Sequence, residues 1–159
     1  MRRLLKTFGI VVVGLIVVVG AGIAYLAHVG ADVDREAQAY VDTAVPAIVA
    51  NWSVDEMRRQ ATPDMLQSVK PDDLRTLFAL FGKLGPVVDY QGSKGGAWTI
   101  GTSTGQGKTV TAHVVAQATF AHGAATIEVV VLKAGDVWKI QRFNVNSPSM
   151  IENAVGRAI

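Results

Sequence analysis

The residues from Gly101 to Thr109, GTSTGQGKT, come closest in this sequence to a chemical motif. They resemble a phosphate-binding loop, G-x-x-x-x-G-K-[ST], but the interval from Gly101 to Gly107 is one residue too long. Such a loop must also open a helix whose N-terminal amides meet the phosphate. Here a β-patterned run, TVTAHVVAQATF, follows, so the stretch is expected to be a hairpin turn. The three histidines, His28, His113 and His122, are too dispersed to gather around a metal. Asn51-Trp52-Ser53 matches a glycosylation acceptor, although Ser53 is better placed as the cap of the helix after it. With no cysteine in the chain, disulfides, thiolate metal sites and cysteine nucleophiles are excluded.

Acid–base chemistry needs two convergent polar groups in one pocket, one of them with a tuned pKa. The candidates are Tyr40, Asp89, Tyr90 and Glu128. By alternation Tyr90 shares a face with Val88 and points inward, whereas Asp89 and Glu128 fall out of phase with their apolar neighbours and face water. One phenol without an evident partner makes a packed tyrosine the better reading of Tyr90.

Several elements must position these groups. Phe8–Ala27 is a run of twenty uncharged residues, about 30 Å as a helix, and matches the thickness of a bilayer's hydrocarbon core. It is longer than the usual apolar core of a signal peptide. Residues 1–7 are therefore expected as a basic cytoplasmic leader and 8–28 as a transmembrane signal-anchor. Arg2, Arg3 and Lys6 place the leader inside and the remainder of the chain outside. The alternative is secretion after cleavage near Ala31. Without those three basic residues the chain carries 12 basic against 13 acidic groups, so no concentrated basic face for nucleic acid is expected.

Beyond the anchor the pattern divides at Gly85. Val33, Ala37, Tyr40, Val41, Ala44 and Ile48 recur at three and four residues and predict an amphipathic helix, bent or interrupted near Pro46. Ser53 with Glu56, and Thr62 before Pro63, predict short helices over 54–60 and 63–69. Pro71 with two aspartates opens a further helix, whose apolar face is Leu74, Leu77, Phe78, Phe81 and Leu84 and whose stop is Gly85. Four or five extended segments follow, near 86–92, 97–103, 108–121, 124–133 and 136–146, joined by short turns and hence antiparallel. In the last of them Trp138 and Ile140 are two apart, and the beat then slips to Phe143 and Val145. A bulge at Gln141 and Arg142 would restore the face and bend the sheet. The predicted class is α+β: helices packed on a strongly curved antiparallel sheet over residues 29–148, with 149–159 as a tail.

Three runs, VPAIVANWSVDEMRRQATPDML, LFGKLGPVVDYQG and ATIEVVVLKAGDVWKIQRFNVNSP, resemble uncharacterised bacterial exported and membrane-anchored proteins of the nuclear-transport-factor-two-like, or cystatin-like, α+β cone superfamily. The resemblance covers about residues 33–148 and implies a fold far more strongly than an activity. Members include isomerases, dehydratases, binding domains and assembly modules. It implies a cavity between sheet and helices, for which Tyr40, Phe78, Phe81, Tyr90, Trp98 and Trp138 are the candidate lining residues. No catalytic residue, cofactor or metal ligand is carried over. Two classes of function follow. One is a non-catalytic, inner-membrane-anchored envelope module with a periplasmic domain, binding another envelope protein or a second copy through the open face of its sheet. The alternative is a small-ligand-binding or isomerase/dehydratase-like enzyme using the cavity. Whether the chain is an enzyme is open, and the absence of convergent ionisable groups leans against it.

Overall fold

The computed structural model describes residues 30–103 and 107–150; the side chains at 96–98, 100, 102, 103 and 108 are outside the description. The chain divides into two compact units, residues 1–33 and 34–159, and the sheet with its packed helices belongs to the second. The expected membrane span, Phe8–Ala27, and the tail from Ile151 lie outside the described residues. Among the described residues no helix is long and apolar enough to cross a membrane.

Helix α1 occupies 30–49. Ala37, Val41, Ala44, Val45 and Ile48 form its buried stripe, each at most 2 % exposed. Of the bend or interruption expected near Pro46, the interruption does not occur: the helix runs on to residue 49. Proline removes one amide donor, but Val45, Ile48 and Val49 are all fully buried, and the Ala50 amide still donates to the Pro46 carbonyl at 3.0 Å. The turn is held by its packing. Trp52 then takes a left-handed backbone with φ of 47°, and the Ser53 amide reaches back to the Ile48 carbonyl at 3.0 Å, which ends α1.

Three helices follow at the predicted caps. Ser53 accepts from the Glu56 amide to open α2, Val54–Gln60, and Thr62 accepts from the Met65 amide to open α3, Pro63–Ser68. Helix α4, Pro71–Phe81, begins with Pro71, Asp72 and Asp73 and tightens into a 3-10 turn over Gly82–Leu84. Gly85, at φ of 79°, supplies the stop. Its predicted apolar face is only partly buried. Leu74, Phe78 and Leu84 enter the core, whereas Leu77 remains 44 % exposed, because the stripe is wider than the surface available to cover.

The sheet has four strands, β1 Val87–Ser103, β2 Gly107–Phe120, β3 Gly123–Ala134 and β4 Val137–Asn146. They lie in the order β1-β2-β3-β4, and all neighbours are antiparallel. The segments expected at 86–92 and 97–103 are one strand. The glycine-rich run between them is not a turn but a pair of irregularities, with register shifts at Tyr90/Ser93 and Gly95/Ala97. Gly92, at φ of 82°, takes a backbone that other residues avoid, and so absorbs an extra residue without ending the strand.

The slip in β4 is a bulge. Val131 pairs with Ile140 and Val130 with Arg142, which leaves Gln141 without a partner residue on β3. Val129 therefore meets Phe143 and Ile127 meets Val145, so both halves of β4 keep their apolar residues on the face toward the helices. That face carries Ala112, Val114, Ala116, Ala118 and Phe120 from β2, and Ala125, Ile127, Val129 and Val131 from β3, all at most 4 % exposed. The α2–α3 junction covers part of the outer edge of β4: Ala61 bridges Ile140 in parallel, and the Thr62 amide donates to the Ile140 carbonyl at 2.8 Å.

Candidate functional site

Of the six aromatic residues named as candidate cavity lining, five have described side chains, and these stand in four settings. Phe78 and Phe81 of α4 pack on Trp52, with ring centroids 5.8 and 5.2 Å away. Phe120 at the end of β2 stacks on the indole, with ring centroids 5.6 Å apart. Trp52 is thus the centre of an aromatic cluster that fills the space beneath α4. Its position between two caps was the one available signal, since periodicity assigns it to neither helix.

Tyr40 points from α1 to α2. Its hydroxyl donates to Gln60 Oε1 at 2.9 Å, Gln60 Nε2 donates to Glu56 Oε1 at 2.9 Å, and Arg59 pairs with the same carboxylate. The hydrogen bond from Gln60, followed by that from Arg59, holds the Glu56 carboxyl below its ordinary value. Trp138 lies at the far end of the sheet, where the Lys133 ammonium sits 5.7 Å from its ring centroid and also pairs with Glu36 of α1. Trp98 pairs through its backbone with Ala112; its side chain is outside the description.

Tyr90 does find a partner that the sequence did not reveal. Its hydroxyl donates to Asp42 Oδ1 on α1 at 2.8 Å. Alongside this pair, α1 and β1 approach closely: a Cβ added to Gly95 would stand 3.3 Å from Gln38 Nε2 and 3.5 Å from Asp34 Oδ1. The seam between α1 and β1 is therefore polar, whereas α1 over β2 is apolar. A phenol–carboxylate pair is the nearest approach to an acid–base dyad here. Its electrostatics oppose that use: burial first, and Asp42 second, push the Tyr90 hydroxyl well above its ordinary value, so it stays a protonated donor. Asp89 and Glu128 are exposed, but Val88, expected to share the inward face with Tyr90, is 68 % exposed, because the register shift between Val87 and Asp89 breaks the alternation there.

Burial, and then the Glu56 carboxylate, push Tyr40 from 10.0 up to about 12. Both phenols thus hold their protons more tightly folded than unfolded. Their contribution to stability is complete below the unfolded value near 10 and is lost as pH rises through the folded values. The melting temperature is expected to fall from pH 10 upward, and the Tyr40→Phe/Tyr90→Phe double variant is expected to flatten that fall. An unchanged slope in the double variant would assign the alkaline loss to other groups.

The described hollows lie outside the layer between helices and sheet. One of about 30 Å³ sits among α2, α3 and α4, lined by Met57, Met65 and Leu74. A second, of about 190 Å³, lies where Thr62 and Pro63 meet Leu132 and Val137. A third, of about 220 Å³, lies over Gln91, Gln117 and Pro148. All are smaller than pockets that enclose an organic substrate, which run from about 300 Å³. Among the described residues no three histidine or carboxylate side chains gather as metal ligands. His113 and His122 are exposed, and His28 lies outside the described residues. Gly101–Thr109 links two antiparallel strands, not a strand and a helix, which supports the hairpin reading over a phosphate loop.

The outer face of the sheet differs from the inner one. Thr111, Val115, Val130 and Leu132 are half-buried there, and exposed His113, Gln117, Glu128 and Arg142 stand beside and between them. Register brings Thr111 against Leu132, His113 against Val130 and Val115 against Glu128. The outer face thus interleaves half-buried apolar residues with exposed polar and charged ones, where the inner face is apolar throughout. No protein-family model matches this sequence, and a search of curated proteins returns no match.

Proposed function

We propose that this chain is a single-pass, membrane-anchored envelope protein whose extracytoplasmic domain is a non-catalytic binding or assembly module of the cone superfamily. The carrying observation is the division of labour between the two sheet faces. The inner face is spent on a continuous apolar core against α1, α2 and α4. The outer face leaves Val115, Val130 and Leu132 only half-buried beside His113, Glu128 and Arg142, and an envelope protein is its partner. Bulges in β1 and β4 support the curved, cone-like reading, because each inserted residue bends the strand that carries it. The uncharged run Phe8–Ala27 supports the anchor.

The alternative, a small-ligand-binding or isomerase/dehydratase-like enzyme, has the Tyr90–Asp42 pair as its support. A hydroxyl held protonated by burial and by a carboxylate is a poor general base. To test the proposal, a photo-crosslinking residue is placed at Val115, at Val130 or at exposed Thr43 of α1 in the full chain, within its own membrane. Discrete protein adducts from Val115 and Val130, absent from Thr43, are the expected result. No adduct from either outer-face position would overturn the assignment of that face.

A further inference from the structure

We infer that α4 carries a self-pairing surface, by which two copies of this chain associate antiparallel about a two-fold axis between Leu77 and Leu80. The surface is distinct from the outer face of the sheet, and the inference does not depend on that face binding anything. Leu77 and Leu80 are 44 % and 42 % exposed, far more than the core-facing Leu74 and Phe78 of the same helix. Three residues apart, they share one side of α4. Asp73 lies a turn before them in α4, and Lys83 lies three residues after them in the 3-10 turn that continues the helix, both exposed. The stripe Asp73, Leu77, Leu80, Lys83 is thus acidic at one end, apolar in the middle and basic at the other.

Such a stripe is complementary to itself when inverted. With the axis midway between the leucines, Leu77 of one copy meets Leu80 of the other, and Asp73 comes beside the other copy's Lys83. The same contacts are made twice, as an isologous interface requires. Antiparallel pairing also sets each acidic N-terminal turn against a C-terminal turn, where helix dipole and side-chain charge agree. A parallel arrangement would instead oppose Asp73 to Asp73 and Lys83 to Lys83. Two leucines per copy bury much less than a standard interface, so pairing is weak between free molecules. It becomes effective where both copies are confined to one membrane. In that respect alone it draws on the anchored reading.

The chain has no cysteine, so introduced thiols are the only ones present. Two differently tagged full-length copies, one Asp73→Cys and one Lys83→Cys, are co-expressed and mildly oxidised in their membranes. A mixed disulfide between the two tags is expected, with the second Asp73–Lys83 contact of the dimer left intact. Neither copy should crosslink to itself, because antiparallel pairing separates the two residues 73 by about 16 Å along the helix. Self-crosslinked Asp73→Cys, or no mixed product, would overturn the inference. In a second arm Asp73→Lys weakens pairing about 10-fold and added Lys83→Asp restores it; failure of the restoration counts equally against the proposal. Alkaline extraction of the same membranes reports the anchor separately, so loss of one reading is not mistaken for loss of the other.

Discussion

Trp52→Ala is expected to lower the unfolding free energy by about 3–5 kcal/mol, the usual cost of removing a large buried aromatic. The indole is 8 % exposed and is gripped by residues from separate elements: Phe78 and Phe81 of α4, and Phe120 of β2. No single neighbour can collapse into the space it would leave. The loss is a large share of the margin of a domain this size, typically about 5–15 kcal/mol. Trp52 also adopts its left-handed φ of 47° without being glycine, and its Nε1 is buried without a hydrogen-bond partner. The cluster thus outweighs both a backbone cost and a desolvated donor. Trp52→Gly, which deletes the ring but relieves the backbone, should be somewhat less damaging than Trp52→Ala, which deletes the ring and keeps the strained backbone. Thermal unfolding followed by near-ultraviolet circular dichroism checks both; a Trp52→Ala variant that melts within a few degrees of the parent would show that the cluster does not hold α4 to the sheet.

Val129→Asp and Val130→Asp, adjacent on β3, are expected to behave oppositely. Val129 is fully buried, between Val114 on β2 and Phe143 on β4. A carboxylate there has no partner and no water, and a penalty above about 4 kcal/mol should leave the domain unfolded or titrate the group to its neutral form. Val130 points the other way, between His113 and Arg142. Aspartate at that position gains a cationic neighbour and should change stability by no more than about 1 kcal/mol, while removing the centre of the proposed docking surface. Soluble yield and melting temperature separate the two variants at once. Equal damage from both would mean that folding depends on the outer face no less than on the inner one.

Much of this architecture is legible in the sequence where local chemistry decides it. Ser53, Thr62, Pro71 and Gly85 mark helix ends because capping and the special backbones of proline and glycine act within a turn. The bulge at Gln141 is legible because a strand's period is two, and one extra residue is the simplest repair of a displaced beat. Legibility fails where tertiary packing outranks local preference. Pro46 stays within α1 because Val45, Ile48 and Val49 are buried around it. Gly92 to Gly96 read as a turn, yet the ladder to β2 carries the chain through them. The Tyr90–Asp42 hydrogen bond joins residues 48 apart in sequence, and nothing local to either predicts it. The candidate site was the least legible part: its aromatic residues share a chemical type, but the five with described side chains are placed by four different packing problems.

If the space between helices and sheet is core, and the protein works through its surfaces as proposed, nothing small should travel with it. Native mass spectrometry of the full chain, released gently from its own membrane, puts that to a direct test. The predicted result is a homo-oligomer, or a complex with another envelope protein, with no additional small-molecule mass. A monomer that reproducibly carries a small organic ligand would contradict the proposal, and would turn attention to Tyr90, Asp42 and the polar seam between α1 and β1.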